Sequence, residues 1–291
     1  MRNLKRTLSL ALAAIMLIGM MVVSASAVSY NDLTDKDQIV NKDAVSMLVS
    51  LGIIEGKPDG SYAPTENVDR AQMAKMLSVI MNKGVDNSAL YQSVNSGLTD
   101  ITSNWAKGHI NYCYTTGIIA GRGNGTFDPS ATVTALEAAK MLLVAVGYDP
   151  KIEGFEGADW AINVSVRADE QGIFEGFTKD LSAPLNRDDA ALLIYNALDV
   201  EMIQSYTTNN YPIVYSDHRT ILSDKYGVIK VEGVVTAMSG PSWTTTPIPR
   251  CRRAKTRIYN PDGILSTPAT RRGQDSSANV KTQVFKCQHS C

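Results

Sequence analysis

The sequence predicts a mainly α fold: three helix-loop-helix repeats packed as a pseudo-threefold trimeric module. Three observations carry this expectation. First, a glycine loop, "GIIAGRGNGTFDP" from Gly117 to Pro129, is written again as "GIIEGKPDGSYAP" from Gly52 to Pro64. A third copy with a degraded centre, "GIFEGFTKDLSAP", runs from Gly172 to Pro184. Second, each loop leads into a helix start signal: Asp69 with Gln72, Thr134 with Glu137, and Asn186 with Asp189. An oxygen side chain at the N-cap with an acid or amide three residues on is the capping-box pattern or close to it. Third, apolar residues recur at helical spacing on both sides of each loop. A two-helix unit of this size cannot bury its own apolar faces, so three such units must pack on one another.

The units fall near 31–83, 97–148 and 155–202. In the first, Ala44, Met47, Leu48 and Leu51 share one face before the loop, and Ala74, Leu77 and Met81 share one after it. In the second, Trp105, Ile110, Cys113 and Tyr114 lie near one face, followed by Ala138, Met141, Leu142 and Ala145. In the third, Ala191, Ile194 and Leu198 form the stripe after the loop. Gly52, Gly117 and Gly172 each stand where the first helix should end, at a C′-like position. Trp105 and Trp160 each precede their glycine by twelve residues; Val40 holds that place in the first unit.

Outside the repeats the texture changes. Residues 1–27 read as a signal peptide: Arg2, Lys5 and Arg6, an apolar run from Leu8 to Val23, then Ala25-Ser26-Ala27 as the cleavage site. Residues 203–240 read as a linker and partial β segment, because "VIKVEGVVTA" is valine-rich and partly alternating. This segment looks like the opening of a different, β-containing domain. Residues 241–291 read as a basic disordered tail, with nine Lys/Arg against two Asp/Glu and five of the eleven prolines. Two explanations of the tail stay open: a native extension that binds acidic polymers, or a reading-frame artefact. The simultaneous change in charge, cysteine and proline use favours the artefact.

Composition excludes several function classes. Between Val28 and Gly240 the chain carries sixteen basic and twenty-seven acidic residues. Such an acidic body is a poor partner for nucleic acid or an anionic membrane. After signal cleavage no apolar run is long enough to span a bilayer. Cys113 is the one cysteine of that body, so it is not a disulfide scaffold. His109, His218 and His289 are scattered and form no triad or metal set. We find no nucleophile with a partner base, and so expect no catalytic residue, metal or cofactor. "GRGNG" at Gly121–Gly125 fails the spacing of a dinucleotide loop and does not follow a strand.

The repeated motifs resemble the S-layer homology family. The resemblance rests on "LTDITSNWAKGHI", "GIIAG", "NGTFDP" and "VTALEAAKML" in the second unit. "YNDLTD", "GIIEG", "DGSYAP" and "VDRAQMAKML" carry it in the first, and "DWA", "GIFEG" and "LNRDDAALL" in the third. It covers about 170 residues. It implies a non-catalytic module that anchors an exported protein to a bacterial cell wall. The partner would be secondary cell-wall polysaccharide, often pyruvylated, or another peptidoglycan-linked glycan. Two alternatives are an exported polysaccharide-active enzyme and an S-layer structural protein, each with its main domain missing from this chain.

The family's arginine falls on Arg70 and Arg187, next to the helix caps. A helix N-terminus offers unpaired N–H groups, and an arginine there adds a planar fork suited to a pyruvyl carboxylate. Ala135 occupies this place in the second unit, so the groove of that unit should bind the anion weakly. Trp105 and Trp160 are expected as sugar platforms, with a core-anchor role as the rival reading. Gly52, Gly56, Gly117, Gly121, Gly172 and Gly176 are first of all conformational, and their exposed amides are candidate glycan contacts.

Overall fold

The computed structural model describes residues 29–234 and 255–260. The expected signal peptide, Cys251, Cys287 and Cys291 all lie outside the described residues. The chain is mainly helical. Helices α1 (Lys42–Ser50) and α2 (Arg70–Met81) flank the first glycine loop, and α3 (Lys107–Thr115) and α4 (Ala135–Val146) the second. Helices α5 (Trp160–Glu170) and α6 (Arg187–Ala197) flank the third. A hairpin of β1 (Ile203–Tyr206) and β2 (Pro212–Val214) follows, then a short α7 (Ile221–Tyr226).

The local signals act as their chemistry requires. Asp69 and Thr134 each accept a hydrogen bond from the third helical N–H, and the Gln72 and Glu137 side chains accept one from the cap N–H. Asn186 caps Asp189 in the same way without the reciprocal bond. Gly52, Gly117 and Gly172 take φ of 69°, 78° and 69°, the left-handed turn that ends α1, α3 and α5.

The three helix starts meet at the centre of the molecule. Val68 N–H donates to Leu185 C=O at 2.9 Å, Leu185 N–H to Val133 C=O at 2.8 Å, and Val133 N–H to Val68 C=O at 2.9 Å. These bonds close a ring through residues immediately ahead of Asp69, Thr134 and Asn186. Val68, Val133 and Leu185 are all buried. Below the ring one core takes in Leu77, Ile110, Leu142, Phe155 and Ile194. Cys113 is buried in it, its thiol against the Ala74 carbonyl.

Two expectations are corrected outside the repeats. Residues 203–228 do not stand apart as the start of another domain. Ile203, Ile221, Leu222 and Val228 belong to the same buried core as the helices. Tyr226 Oη donates to Ile80 C=O at 3.2 Å, Tyr206 Oη to Glu153 at 3.0 Å, and Leu222 N–H to Leu198 C=O at 2.9 Å. The segment therefore ties together the ends of all three units. Second, residues 255–260, expected to be disordered, form strand β4 (Lys255–Asn260), antiparallel to β3 (Ile229–Val234). "KTRIYN" carries β-branched and aromatic residues inside a stretch whose overall composition masks them.

Candidate functional site

The first and second loops are each shaped by an aspartate that the sequence reading did not single out. Asp35 accepts from Tyr62 N–H and Ala63 N–H, both at 2.7 Å. Asp100 accepts from Phe127 N–H at 2.9 Å and Asp128 N–H at 2.6 Å. Ala63 and Asp128 sit at φ of 55° and 62°, a region that costs a side-chain-bearing residue roughly 1–2 kcal/mol. Two bonds to one carboxylate hold each turn there. Burial opposes ionisation of Asp100, but the two backbone donors outweigh it and keep its carboxyl below the ordinary range. The signal was present in the sequence: "LTD" recurs ahead of both loops.

Arg70 does not project its fork into solvent. It is 4 % exposed, Nε donates to Phe127 C=O at 2.8 Å, and Nη2 donates to Ala120 C=O at 2.9 Å. The guanidinium lies 4.4 Å from the Phe127 ring centre. Arg187 repeats the arrangement on the first loop: Nε to Tyr62 C=O at 2.8 Å, Nη2 to Glu55 C=O at 3.2 Å, and 4.8 Å from the Tyr62 ring. Each arginine thus leaves one unit and clamps the loop of another. Burial lowers the Arg70 pKa to about 10, so it stays charged at neutral pH.

The helix N-termini are also occupied. Arg70 N–H and Ala71 N–H donate to Ala131 and Pro129 carbonyls, and Arg187 N–H and Asp188 N–H to Glu66 and Pro64. The expected free N–H groups are therefore spent on neighbouring loops. Ala135 is corrected in the same way. It begins α4, and the next residue, Leu136, donates to Leu181 C=O in the third loop. The missing arginine is missing from the third loop, while the second loop has Arg70.

A groove of about 540 Å³ gathers Arg70, Gly121 and Trp160 at the second loop. Lys140, Arg122, Glu137 and Glu156 complete its polar lining. Lys140 lies 5.6 Å from the Trp160 ring, and burial depresses its pKa. Arg122 donates to Glu137 at 3.0 Å. Gly121 is needed for space: an added Cβ would lie 2.8 Å from Thr126 O. Gly117, at the α3 end of the loop, does not line this groove.

The first loop has a matching arginine and lysine. Lys75 takes the place of Lys140 on α2, its Nζ 3.5 Å from Glu55. Gly52 and Gly56 frame the loop, and Gly56 packs against Leu33, 3.1 Å from an added Cβ. Trp105 is 58 % exposed and outside the core, contrary to the shared face expected of it, with its ring edge-on to His109. The third loop has Gly172 and Gly176 but none of the polar parts. Leu192 replaces the lysine, 3.8 Å from an added Gly176 Cβ, and Asp189 is paired with Lys179. Val40, beside the α6 start through the Asn41–Asp188 bonds, is 82 % exposed.

Sequence reasoning missed Lys75 and Lys140, although both stand six residues after a cap, Asp69 and Thr134. Among the described residues no cluster of three or more His, Cys, Asp or Glu side chains is placed to hold a metal ion. No helix among them is long and apolar enough to cross a membrane.

The S-layer homology domain family matches the chain at residues 29–74 and 97–139. Those two segments are S-layer homology domains. A cell surface protein of Thermoanaerobacter kivui is 29% identical over 206 residues, 70% of this chain and 26% of its own length. An S-layer protein of Bacillus licheniformis is 33% identical over 113 residues, 39% of this chain and 12% of its own. Exoglucanase XynX of Acetivibrio thermocellus is 27% identical over 192 residues, 61% of this chain and 17% of its own. The chain thus spans about a quarter or less of each of these relatives. The second matched segment ends at residue 139.

Proposed function

We propose that residues 31–202 form a pseudo-threefold module of three S-layer homology repeats that anchors an exported protein to the bacterial cell wall without catalysis. The family match and the surface-protein relatives support a place at the cell surface. The hydrogen-bond ring through Val68, Val133 and Leu185 supports the threefold packing, with residues 155–202 as the third repeat.

The ligand is an anionic secondary wall polysaccharide, with a pyruvyl carboxylate as the anion. One observation carries this reading: the second groove brings a lysine, an arginine and a tryptophan from three different units to one glycine loop. Lys140 supplies the accessible charge, Trp160 the flat apolar face, and the loop backbone its N–H and C=O groups. Arg70 holds the loop in shape and adds positive potential from behind it. The first groove, with Arg187, Lys75 and Trp105, works in the same way.

The module is bivalent on this reading. The third groove has lost its arginine to Ala135, its lysine to Leu192 and its tryptophan to Val40 together. Loss of all three parts from one groove is consistent with a site released from ligand binding, since each would have come from a different unit.

Binding to purified sacculi, before and after the wall polysaccharide is stripped, tests the anchor. Sedimentation with intact sacculi that vanishes on stripping is the expected result; sedimentation that survives stripping, or never occurs, overturns it. The exoglucanase relative supports a second reading, in which the same module tethers a catalytic domain. Turnover of wall or plant polysaccharide by the full-length protein would favour it.

A further inference from the structure

The second loop carries the one Asn-Gly dipeptide of the sequence, Asn124-Gly125. Both residues are exposed. Asn124 Oδ1 accepts from Thr126 N–H at 3.1 Å and from Thr126 Oγ1 at 2.6 Å. The other two loops make this turn with an acid. Asp59 Oδ1 accepts from Ser61 N–H at 2.9 Å and from Ser61 Oγ at 2.7 Å, and Asp180 accepts from Ser182 N–H at 2.8 Å. Only the second loop therefore presents a side-chain amide at the turn, with ammonia as its leaving group. Gly125 sits at φ of 82°, with open space where a Cβ would project. No side chain of its own shields its backbone nitrogen from the Asn124 amide carbon.

We propose that Asn124 is a self-modifying site, which loses its amide through a cyclic imide to become aspartate or isoaspartate. Hydroxide takes the Gly125 N–H proton, and the nitrogen attacks Asn124 Cγ. The new N–Cγ bond places negative charge on Oδ1, where both Thr126 donors already point. Collapse breaks the Cγ–Nδ2 bond, and ammonia leaves with a proton from water. Water then opens the imide. Attack at Cγ breaks the new N–Cγ bond and leaves aspartate. Attack at the main-chain carbonyl breaks the original peptide bond and leaves isoaspartate, whose chain runs through the side chain with an extra methylene. Asp59 shows that an aspartate fits the turn. A longer backbone does not, because Arg122 N–H donates to Thr126 C=O at 2.8 Å across it. A carboxylate resists the same attack, so Asp59-Gly60 is spared. The second loop thus has a limited lifetime. The chemistry is independent of the polysaccharide reading; only its consequence for the second groove rests on it.

Peptide mapping by mass spectrometry, on the full chain aged in mildly alkaline buffer, tests this. The amide-to-acid mass gain should build up at Asn124 about tenfold faster than at Asn95. Asn95 is the matched control: it is exposed and its Oδ1 accepts from Gly97 N–H at 3.0 Å, but Ser96 follows it. Thr126→Val should slow the reaction about fivefold, the scale of one net hydrogen bond. Isoaspartate methyltransferase should label the aged chain and leave aged Asn124→Gln unlabelled. In the labelled fraction Arg122 N–H should lose its protection from hydrogen exchange, whereas Asn124→Asp should keep it. Equal rates at Asn124 and Asn95, or an aged chain without isoaspartate, would overturn the modification site and leave the anion groove standing.

Discussion

Arg70 donates from Nε to the carbonyl of Phe127, fifty-seven residues later, at 2.8 Å. An arginine chosen for its position beside a helix cap is thus a clamp between units, with its planar fork turned inward onto a loop. Its charge still reaches the groove, but its Nε and Nη2 donors are spent on the loop. This separates what Arg70 does from what Lys140 does, and the two can be told apart.

Arg70→Ala should cost about 3 kcal/mol, because it empties a buried site and leaves the Phe127 and Ala120 carbonyls without donors. Thermal unfolding should show a melting point lower by roughly 10 °C. Lys140→Ala should leave the melting point within about 2 °C of wild type and weaken sacculus binding by about tenfold. The reverse pattern would return Arg70 to the role of primary ligand.

Valency follows from the three grooves. Lys75→Ala and Lys140→Ala together should abolish sacculus binding, since each removes the accessible cation of one competent groove. Leu192→Ala should leave binding unchanged. Isothermal titration with a pyruvylated N-acetylhexosamine should give a stoichiometry near two. A value of three would mean that the arginine, lysine and tryptophan positions are dispensable.

Asp100 sets an acid limit. Its folded carboxyl titrates below the ordinary value of 3.8, so its contribution is present above that pH and is lost as pH falls through the folded pKa. Asp100→Ala should cost about 2 kcal/mol at neutral pH, by releasing Phe127 N–H and Asp128 N–H. It should also flatten the stability profile below pH 4. A companion change, Ala63→Gly, should raise stability by about 1 kcal/mol by relieving the left-handed residue in the first loop. Chemical denaturation between pH 3 and 7 measures both.

His109 gives a second pH signature. Burial lowers its pKa below 6.5; Asp86 opposes the shift and Lys75 adds to it. Its Nδ1 lies 2.6 Å from Ser78 Oγ. The unfolded chain takes up the proton first, so stability is complete above pH 6.5 and falls as pH drops towards the folded pKa. Melting points from pH 7.5 to 5 should decline in wild type, and less steeply in His109→Gln. Equal slopes would place the titrating group elsewhere.

By itself the sequence determined the local structure: where helices begin at Asp69, Thr134 and Asn186, where glycine ends them, and that the unit is repeated. Those features depend on contacts within a few residues, so they are written in order along the chain. The family resemblance followed from the same motifs. Only the tertiary structure decided which unit serves which groove. Arg70 acts on Phe127, Ala135 faces the third loop, and Trp160 meets Lys140, because the helix starts are exchanged around the ring at Val68, Val133 and Leu185. A one-dimensional reading assigned Ala135 to its own loop, whereas the start of its helix packs on the third. The fate of the helix N–H groups was hidden for the same reason: their acceptors, Pro129, Ala131, Pro64 and Glu66, lie more than fifty residues away in the chain. Capping chemistry is local and legible; the partners that close a buried polar surface are chosen by packing.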